Sequence, residues 1–265
     1  MHVQVQTVLL QVAEKGDPGA PPVVFIHGFP FSHKMWAAQT EAVSKTFRAI
    51  AYDLRGLGES SMGDGQYTIE GHVDDLIALL DHLEIQQTVA MGMSMGGYIL
   101  LRALERHPER FRAAVLCNTR SEADSDEGKI ARARTMAAVK AHGSMWFADD
   151  FIKKVFAPES FTKVPQAVEM IRTTIAHTSP LAIAGMLLAL AARTDTTASL
   201  SAISVPTLIL VGEHDTTTPP EASRKMHERI KGSQLHVIPG AAHMSPLENP
   251  QEVNARLEEF LAGLR

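Results

Sequence analysis

The sequence predicts a doubly wound α/β domain that is interrupted by a helical insertion, and three patterns support this fold class. Short runs that are almost continuously apolar alternate with segments whose apolar residues recur at helical spacing. Such runs suit strands that are buried on both faces of a parallel sheet. Regular alternation of strand and helix is typical of doubly wound domains. Residues 121–197 contain helical patterns but no convincing strand, so they predict a separate insertion.

The predicted strands come in a regular order along the chain. Residues 3–12 alternate apolar and polar positions, which predicts antiparallel strands at one edge of the sheet. Six apolar runs predict the remaining strands: residues 21–28, 47–54, 88–93, 112–118, 205–212 and 233–240. Two amphipathic helices are indicated between or after them, one with an apolar stripe from Ile69 to Leu83 and one from Val253 to Leu264.

The insertion divides the chain into a core, residues 1–120 and 198–265, and a helical cap, residues 121–197. The cap opens with a polar, acidic segment that is typical of an exposed connection. Its helix over residues 180–192 is apolar on nearly all faces, more than one contact with the sheet requires. We therefore expect the cap to line a substrate pocket, with Trp146 and Met186 in its wall. The alternative is that these side chains only pack the cap against the core.

The overall composition excludes several classes of protein. The chain has 265 residues, of which 45% are hydrophobic and 21% charged, as in one large globular domain or one domain with an insertion. A net charge of −5 gives no sign of nucleic-acid binding or of a basic membrane-surface helix. Cys117 is the only cysteine, so no internal disulfide is possible, which fits a reducing compartment. We expect no signal peptide and no membrane span.

The most informative motif is a glycine-rich turn, Gly92-Met-Ser94-Met-Gly96, between an apolar strand and a helix. It matches the G-x-S-x-G turn that presents a nucleophilic serine. A dinucleotide-binding turn is disfavoured because Ser94 stands where that fingerprint needs glycine, and because the next strand ends in Asn118 rather than an acid. The remaining alternative is a structural turn in which the serine is incidental.

A serine nucleophile needs a base, and the base needs an acid to orient it. Asp215 and His243 follow the last two predicted strands, in the chain order Ser, Asp, His that this kind of site requires. Glu213 and Asp195 compete for the role of the acid, but Glu213 lies nearer the strand body and Asp195 falls within the cap. The sequence thus predicts a catalytic triad of Ser94, Asp215 and His243.

An oxyanion hole should accompany such a triad, because the tetrahedral intermediate carries a negative charge. Met95 follows the nucleophile at the start of a helix, where its N–H is free to point into the site. Phe29, in the loop after the strand at residues 21–28, is placed to supply the second N–H. His27 and Gly28 are expected to shape that loop without contacting substrate.

Five segments together make the chain resemble the α/β-hydrolase superfamily from end to end. They are HGFP (27–30), DLRGLGES (53–60), GMSMGG (92–97), PTLILVGEHD (206–215) and GAAHMSPLENP (240–250). Within the superfamily they are most similar to small bacterial carboxylesterases and to 3-oxoadipate enol-lactonases. The resemblance implies an α/β-hydrolase fold and a cytoplasmic serine hydrolase, monomeric or a weak homo-oligomer, that needs no cofactor. Its substrate would be a small carboxylic ester or lactone.

Other activities of the same superfamily can be separated by their chemistry. Epoxide hydrolases and haloalkane dehalogenases of this fold attack with a carboxylate, whereas position 94 is serine. Perhydrolases and carbon–carbon bond hydrolases share the triad and stay open as alternatives, as does a small-molecule receptor with slow turnover. The sequence contains no H-E-x-x-H metal-binding motif, and His214 and Asp215, which are adjacent, lack a third residue that could complete a metal site.

Overall fold

The computed structural model describes residues 1–264; Arg265, the last residue of the expected core, lies outside the described residues. Within this range eight strands form one sheet in the order β1-β2-β4-β3-β5-β6-β7-β8. The strands are β1 (His2–Val5), β2 (Val8–Lys15), β3 (Pro22–Ile26), β4 (Arg48–Tyr52), β5 (Thr88–Met93), β6 (Phe111–Cys117), β7 (Thr207–Gly212) and β8 (Gln234–Ile238). The α/β fold class and its mostly parallel sheet are confirmed.

The direction of the strands follows the apolar patterns. β1 pairs with β2 and β2 with β4 in antiparallel register, as the alternation near the start predicts. All pairs from β4 to β8 are parallel. Strands β5 and β7 are buried along their whole length, which explains why their sequences show no alternation. β8 is different: it forms the far edge of the sheet, so Val237 is 42% exposed.

The chain order reverses at β3, which lies between β4 and β5. In open parallel sheets, ligands bind in the crevice at the carboxyl ends of the strands where this reversal occurs. The loops after β3, β5, β6 and β7 therefore meet at one edge of the sheet. That edge receives Phe29, Ser94, Asn118 and Asp215, each of which closely follows one of these strands.

Helices pack against the sheet and form the insertion. They are α1 (Ala37–Val43), α2 (Ile69–His82), α3 (Met95–Arg106), α4 (Asp126–Val155), α5 (Ser160–Lys163), α6 (Pro165–His177), α7 (Pro180–Ala191), α8 (Pro220–Arg229), α9 (Ser245–Glu248) and α10 (Pro250–Ala262).

The two amphipathic helices predicted from their stripes are present as α2 and α10. Helix α2 begins at the N-cap Thr68, whose hydroxyl accepts a hydrogen bond from the N–H of Gly71 at 2.9 Å. Its apolar stripe, which includes Val73, Leu76 and Leu80, is buried against the core. Each such side chain contributes about 1.5–3 kcal/mol to folding when fully buried.

Helices α4 to α7 lie between β6 and β7, where the sequence predicts the cap. Helix α4 changes direction at Gly143, whose φ of 84° is outside the helical region and favours glycine. Helix α4 packs on both α6 and α7. In residues 1–264 no single helix has the length and apolar composition to cross a bilayer; α6 and α7 pass that test only as a pair, with a bend of 100° between them.

Candidate active site

Ser94 lies at the sharp turn from β5 into α3, in a backbone conformation with φ 54° and ψ −115°. The turn is possible because the positions two residues before and two residues after Ser94 are glycines. A Cβ atom on Gly96 would lie 2.1 Å from the carbonyl oxygen of Ile26, and one on Gly92 would lie 2.3 Å from that of Gly96. The glycines therefore let α3 approach the sheet closely, and the turn lifts the serine hydroxyl above the sheet edge.

The hydroxyl of Ser94 faces the imidazole ring of His243. The distance from Ser94 Oγ to His243 Nε2 is 3.0 Å, and that from His243 Nδ1 to Asp215 Oδ2 is 2.8 Å. His243 and Asp215 are each only 2% exposed. A serine, an imidazole and a carboxylate linked in this order form the arrangement that activates a nucleophile.

Three further residues hold the Asp215 carboxylate. Its Oδ1 accepts the N–H groups of Thr217 and Thr218 at 2.8 and 2.9 Å. Its Oδ2 accepts the Thr218 hydroxyl at 2.7 Å and the Asn118 amide at 2.9 Å. Burial alone raises the pKa of Asp215, but the charge of His243 and these hydrogen bonds outweigh burial and lower the pKa to about 2.

The sequence did not predict that Asn118 and Thr218 bind the carboxylate of Asp215. At the end of β6 the sequence shows only that Asn118 is not an acid, yet its amide group also donates to the carbonyl oxygen of Ala242, next to His243. A polar residue at the carboxyl end of a buried strand was the available signal. Asn118 thus connects the loop after β6 with Asp215 and with the histidine loop, the segment of residues 239–244 between β8 and α9 that carries His243.

The two competing acids lie elsewhere. Glu213 is exposed, and its carboxylate accepts the N–H of Gly240 at 3.0 Å. Asp195 binds the N–H groups of Ala123 and Thr197, where the insertion returns to the core. Each of these carboxylates has a structural task of its own, which leaves Asp215 as the acid beside the imidazole.

Phe29 and Met95, whose amides are expected to bind an oxyanion, line the same cavity as Ser94. Within residues 1–264, the N–H groups of Phe29 and Met95 form no hydrogen bond. Met95 is the first residue of α3, where a helix leaves its N–H groups unpaired. The loop that carries Phe29 is supported by His27, whose Nε2 accepts the N–H of Leu54 at 3.0 Å while Nδ1 lies 2.8 Å from the Gly28 oxygen. Burial lowers the pKa of His27 to about 4, which favours this neutral form.

A cavity of about 320 Å³ opens directly above Ser94 and His243, and Phe29 and Met95 line its floor. The cap supplies apolar walls from two helices, with Phe147 and Phe151 on α4 and Leu187 and Leu190 on α7. The rings of Phe29, Phe147 and Phe151 contact one another, with centroids 5.0 to 6.1 Å apart. The cavity thus combines an apolar chamber with Ser94, the predicted nucleophile, in its lining.

The two cap residues predicted to line this pocket do not line it, and the prediction for Trp146 and Met186 is wrong. Trp146 is 44% exposed and packs against the ring of His142 at a tilt of 48°, whereas its neighbour Phe147 faces the cavity. Met186 is fully buried, with its sulfur 3.2 Å from His72 Nε2, and its neighbour Leu187 faces the cavity. Consecutive residues on a helix point about 100° apart, so an error of one position changes the face.

One wall of the cavity is cationic. Arg120, Arg132 and Lys154 line it, together with the carboxylate of Asp124. Asp124 pairs with Arg120 at 3.0 Å, with Arg193 at 2.8 Å and also with Arg132. The single carboxylate of Asp124 therefore forms ion pairs with three guanidinium groups. This part of the wall carries an excess of positive charge, which favours an anionic group on a bound molecule.

The sheet order, the turn at Ser94 and the site at the strand ends define a class of protein. The model of the alpha/beta hydrolase fold family matches residues 21–250, and the chain belongs to that family. It is an α/β hydrolase.

Particular relatives are enol-lactonases and esterases. The chain is 32% identical over 256 residues to 3-oxoadipate enol-lactonase 2 of Acinetobacter baylyi, covering 97% of this chain and 94% of that protein. Its structure superposes with a TM-score of 0.95 on a malate-bound thermophilic esterase from Thermogutta terrifontis, which is 36% identical, over 100% of this chain and 99% of the other. The enol-lactonase from Burkholderia xenovorans LB400 gives a TM-score of 0.93 at 29% identity, over 99% and 100% of the two chains.

Proposed function

We propose that the protein hydrolyses small carboxylic esters or lactones through an acyl-enzyme intermediate on Ser94. The observation that carries this proposal is the 3.0 Å approach of Ser94 Oγ to His243 Nε2, with His243 Nδ1 2.8 Å from Asp215, at the base of the cavity. The relatives named as esterases and lactonases support the same class of substrate.

In the proposed reaction, His243 removes the proton of Ser94 as the hydroxyl oxygen attacks the ester carbonyl. The negative charge that develops on the carbonyl oxygen is bound by the N–H groups of Phe29 and Met95. Asp215 stabilises the resulting imidazolium. His243 then protonates the leaving alkoxide, which remains attached to the acyl chain when the substrate is a lactone. Finally it activates a water molecule, which hydrolyses the acyl-enzyme and releases the acid.

The nucleophile is tested by Ser94→Ala with p-nitrophenyl butyrate as substrate. We expect turnover to fall by several orders of magnitude, as on removal of a triad serine in a protease. Ser44→Ala is the matched control, because the Ser44 hydroxyl bonds the Glu41 carbonyl on the exposed surface. A Ser94→Ala protein that keeps a tenth of the wild-type rate would show that Ser94 is not the nucleophile.

The same purified protein separates the alternative activities. A hydrolase releases product continuously at excess substrate, whereas a receptor with slow turnover releases one equivalent and then stops. Addition of hydrogen peroxide distinguishes a perhydrolase, which would form a peracid from the acyl-enzyme. A carbon–carbon bond hydrolase would cleave a β-diketone faster than an ester. We expect continuous ester or lactone hydrolysis to be the fastest of these reactions.

A narrower candidate is the hydrolysis of a lactone that carries a carboxylate, as the enol-lactone of 3-oxoadipate does. The cationic wall formed by Arg120, Arg132 and Lys154 favours this candidate, because Arg120 and Arg132 share the single carboxylate of Asp124 with a third guanidinium group, that of Arg193. A substrate carboxylate would find charge-assisted donors there.

The narrower candidate is tested by comparing a carboxylate-bearing lactone with its neutral methyl ester. We expect the wild type to have the higher kcat/KM for the anion, and Arg132→Gln to lose most of that preference while still hydrolysing the neutral lactone. Lys129→Gln, which alters an exposed cation paired with Asp126 on the same helix, is the matched control. A wild type that prefers the neutral lactone would contradict the candidate.

We also propose that the enzyme acts in the cytoplasm, as a monomer or weak homo-oligomer. The lone cysteine supports a reducing compartment.

Cys117 is fully buried, and burial raises the pKa of its thiol to about 12. The thiol therefore stays protonated near neutral pH and does not compete with Ser94 as a nucleophile.

A further inference from the structure

The carboxylate of Glu248, at the end of α9, accepts four hydrogen bonds from two different parts of the chain. Oε2 accepts the N–H of Ala242 at 2.9 Å and the N–H of Met244 at 3.0 Å. Oε1 accepts the N–H of Ala157 and the hydroxyl of Ser160, both at 2.7 Å. One oxygen therefore faces the histidine loop, and the other faces the insertion.

The loop side of this contact encloses His243. Ala242 and Met244 are its immediate neighbours, and the N–H of His243 itself donates to the carbonyl oxygen of Val155 at 3.0 Å. Three consecutive backbone N–H groups are thus all held by acceptors outside the loop, two by Glu248 and one by the end of α4. These bonds restrain the backbone from which the imidazole projects.

The cap side of the contact comes from residues 155–160, which span the end of α4, the connection and the start of α5. Val155 ends α4, Ala157 lies in the connection, and Ser160 begins α5. The insertion that roofs the cavity therefore also holds the loop that carries the base. Glu248 is the side chain through which the two are joined.

We infer that Glu248 is a positioning residue that holds His243 in reach of Ser94 and couples that position to the cap, an inference that depends on the proposed function. Glu248 acts through the backbone on either side of His243, with no hydrogen bond to the imidazole ring. A displacement of about 1 Å in a reacting group can cost a hundredfold in rate. Loss of this carboxylate should therefore slow the attack by Ser94 more than it weakens substrate binding.

The experiment compares Glu248→Ala, Glu248→Gln and Ser160→Ala in the full chain. Each protein is mixed with an excess of a p-nitrophenyl alkylphosphonate, which releases one nitrophenolate for each serine that it modifies. The amplitude of release counts the competent sites, and the rate constant reports the attack by the serine at those sites. A role limited to stability lowers the amplitude and leaves the rate constant unchanged.

We expect the rate constant of Glu248→Ala to fall about 10- to 100-fold, with kcat for an ester falling in parallel and KM changing less than about threefold. Glu248→Gln should be intermediate, because its single amide oxygen can serve the loop or the cap but not both. Ser160→Ala should be nearest the wild type, since it removes one bond on the cap side only.

Thr68→Ala is the matched control for stability. It removes the N-cap of α2, at a cost of about 1 kcal/mol, without touching the histidine loop. Its rate constant should equal that of the wild type. A Glu248→Ala protein that reacts at the wild-type rate per competent site would overturn the inference. A wild type that releases no nitrophenolate, or that reacts no faster than Ser94→Ala, would instead overturn the proposed function.

Discussion

Among single residues, Ser94 combines a backbone conformation that disfavours side chains with the nucleophile of the proposed reaction. Its φ of 54° and ψ of −115° lie outside the regions that residues with a Cβ normally occupy. Such conformations cost about 1–3 kcal/mol each and persist where the surrounding structure imposes them. Here the close packing of α3 on β3 and β5 imposes the turn. The strained conformation lowers the stability of the fold but places the Ser94 hydroxyl at the site.

Replacing Ser94 with glycine should therefore separate stability from activity. We expect Ser94→Gly to be inactive yet about 1 kcal/mol more stable than Ser94→Ala, because glycine adopts this conformation without a clash. The gain is partly offset by the greater freedom of glycine in the unfolded chain. Urea unfolding at neutral pH measures the difference, and a glycine variant no more stable than the alanine variant would argue against strain at this position.

Asp215 is the second residue whose environment leads to a specific expectation. Asp215→Asn keeps the shape of the side chain but lets an amide face His243 Nδ1, so the wrong imidazole tautomer is favoured. We expect kcat to fall by about 10⁴-fold at neutral pH. Glu213→Gln, two residues earlier and exposed, should retain the wild-type rate. Steady-state hydrolysis of p-nitrophenyl butyrate provides the measurement, and retention of more than a tenth of the rate by Asp215→Asn would remove Asp215 from the mechanism.

At the scale of elements, helices α4 and α7 present different faces to the cavity and to solvent. Phe147 on α4 and Leu187 on α7 line the cavity. The residue before Phe147, Trp146, and the residue after Leu187, Leu188, are exposed to solvent. Helix α7 is apolar on nearly all faces because one face packs on the core and another lines the cavity. Its apolar surface also extends to solvent, where Leu188 is 57% exposed.

The cavity wall should set the preferred acyl length. We expect Phe147→Leu to enlarge the chamber and to shift the optimum by about one carbon, each methylene contributing ~1–3 kcal/mol to discrimination. Trp146→Leu, at the adjacent position, should leave the profile unchanged. A series of p-nitrophenyl esters from acetate to octanoate gives kcat/KM for each length. Equal profiles for wild type and Phe147→Leu would place specificity outside the cap.

For the molecule as a whole, two fully buried histidines link stability to pH. Burial lowers the pKa of His27 to about 4, and burial with the charge of Arg55 lowers that of His72 to about 3. In the unfolded chain, both would titrate near their ordinary value of about 6.5. As the pH falls below that value, the unfolded chain binds protons that the folded protein does not, so acid favours unfolding.

The free energy of unfolding should therefore fall between pH 6.5 and 4, with each of the two histidines contributing up to about 1.4 kcal/mol per pH unit. Asp215, whose pKa is lowered to about 2, adds to this only under stronger acid: its contribution is complete above the ordinary carboxylate pKa and is lost as the pH falls through about 2. Urea unfolding at several pH values gives the slope. His72→Gln should flatten it relative to the wild type, and equal slopes would contradict this assignment.

Most of the fold could be predicted from the sequence because its signals are local. The apolar runs that form β3 to β7, the alternation that forms β1 and β2, and the turn at Ser94 all depend on residues close together in the chain. The edge position of β8 could not be predicted in this way. Its run resembles those of the buried strands, and only the sheet order leaves Val237 exposed.

The sequence by itself determined the α/β class, the place of the insertion and the candidate residues Ser94, Asp215 and His243, since each of the three follows a strand that its own pattern identifies. Only the tertiary structure decided that Phe147 rather than Trp146 faces the cavity, because the rotation of a helix about its axis is set by what it packs against. It also revealed how Asn118 and Glu248 support the site. Their bonds to Asp215 and Ser160 join residues 97 and 88 positions apart, and contacts at such separations leave no periodic signal in the chain.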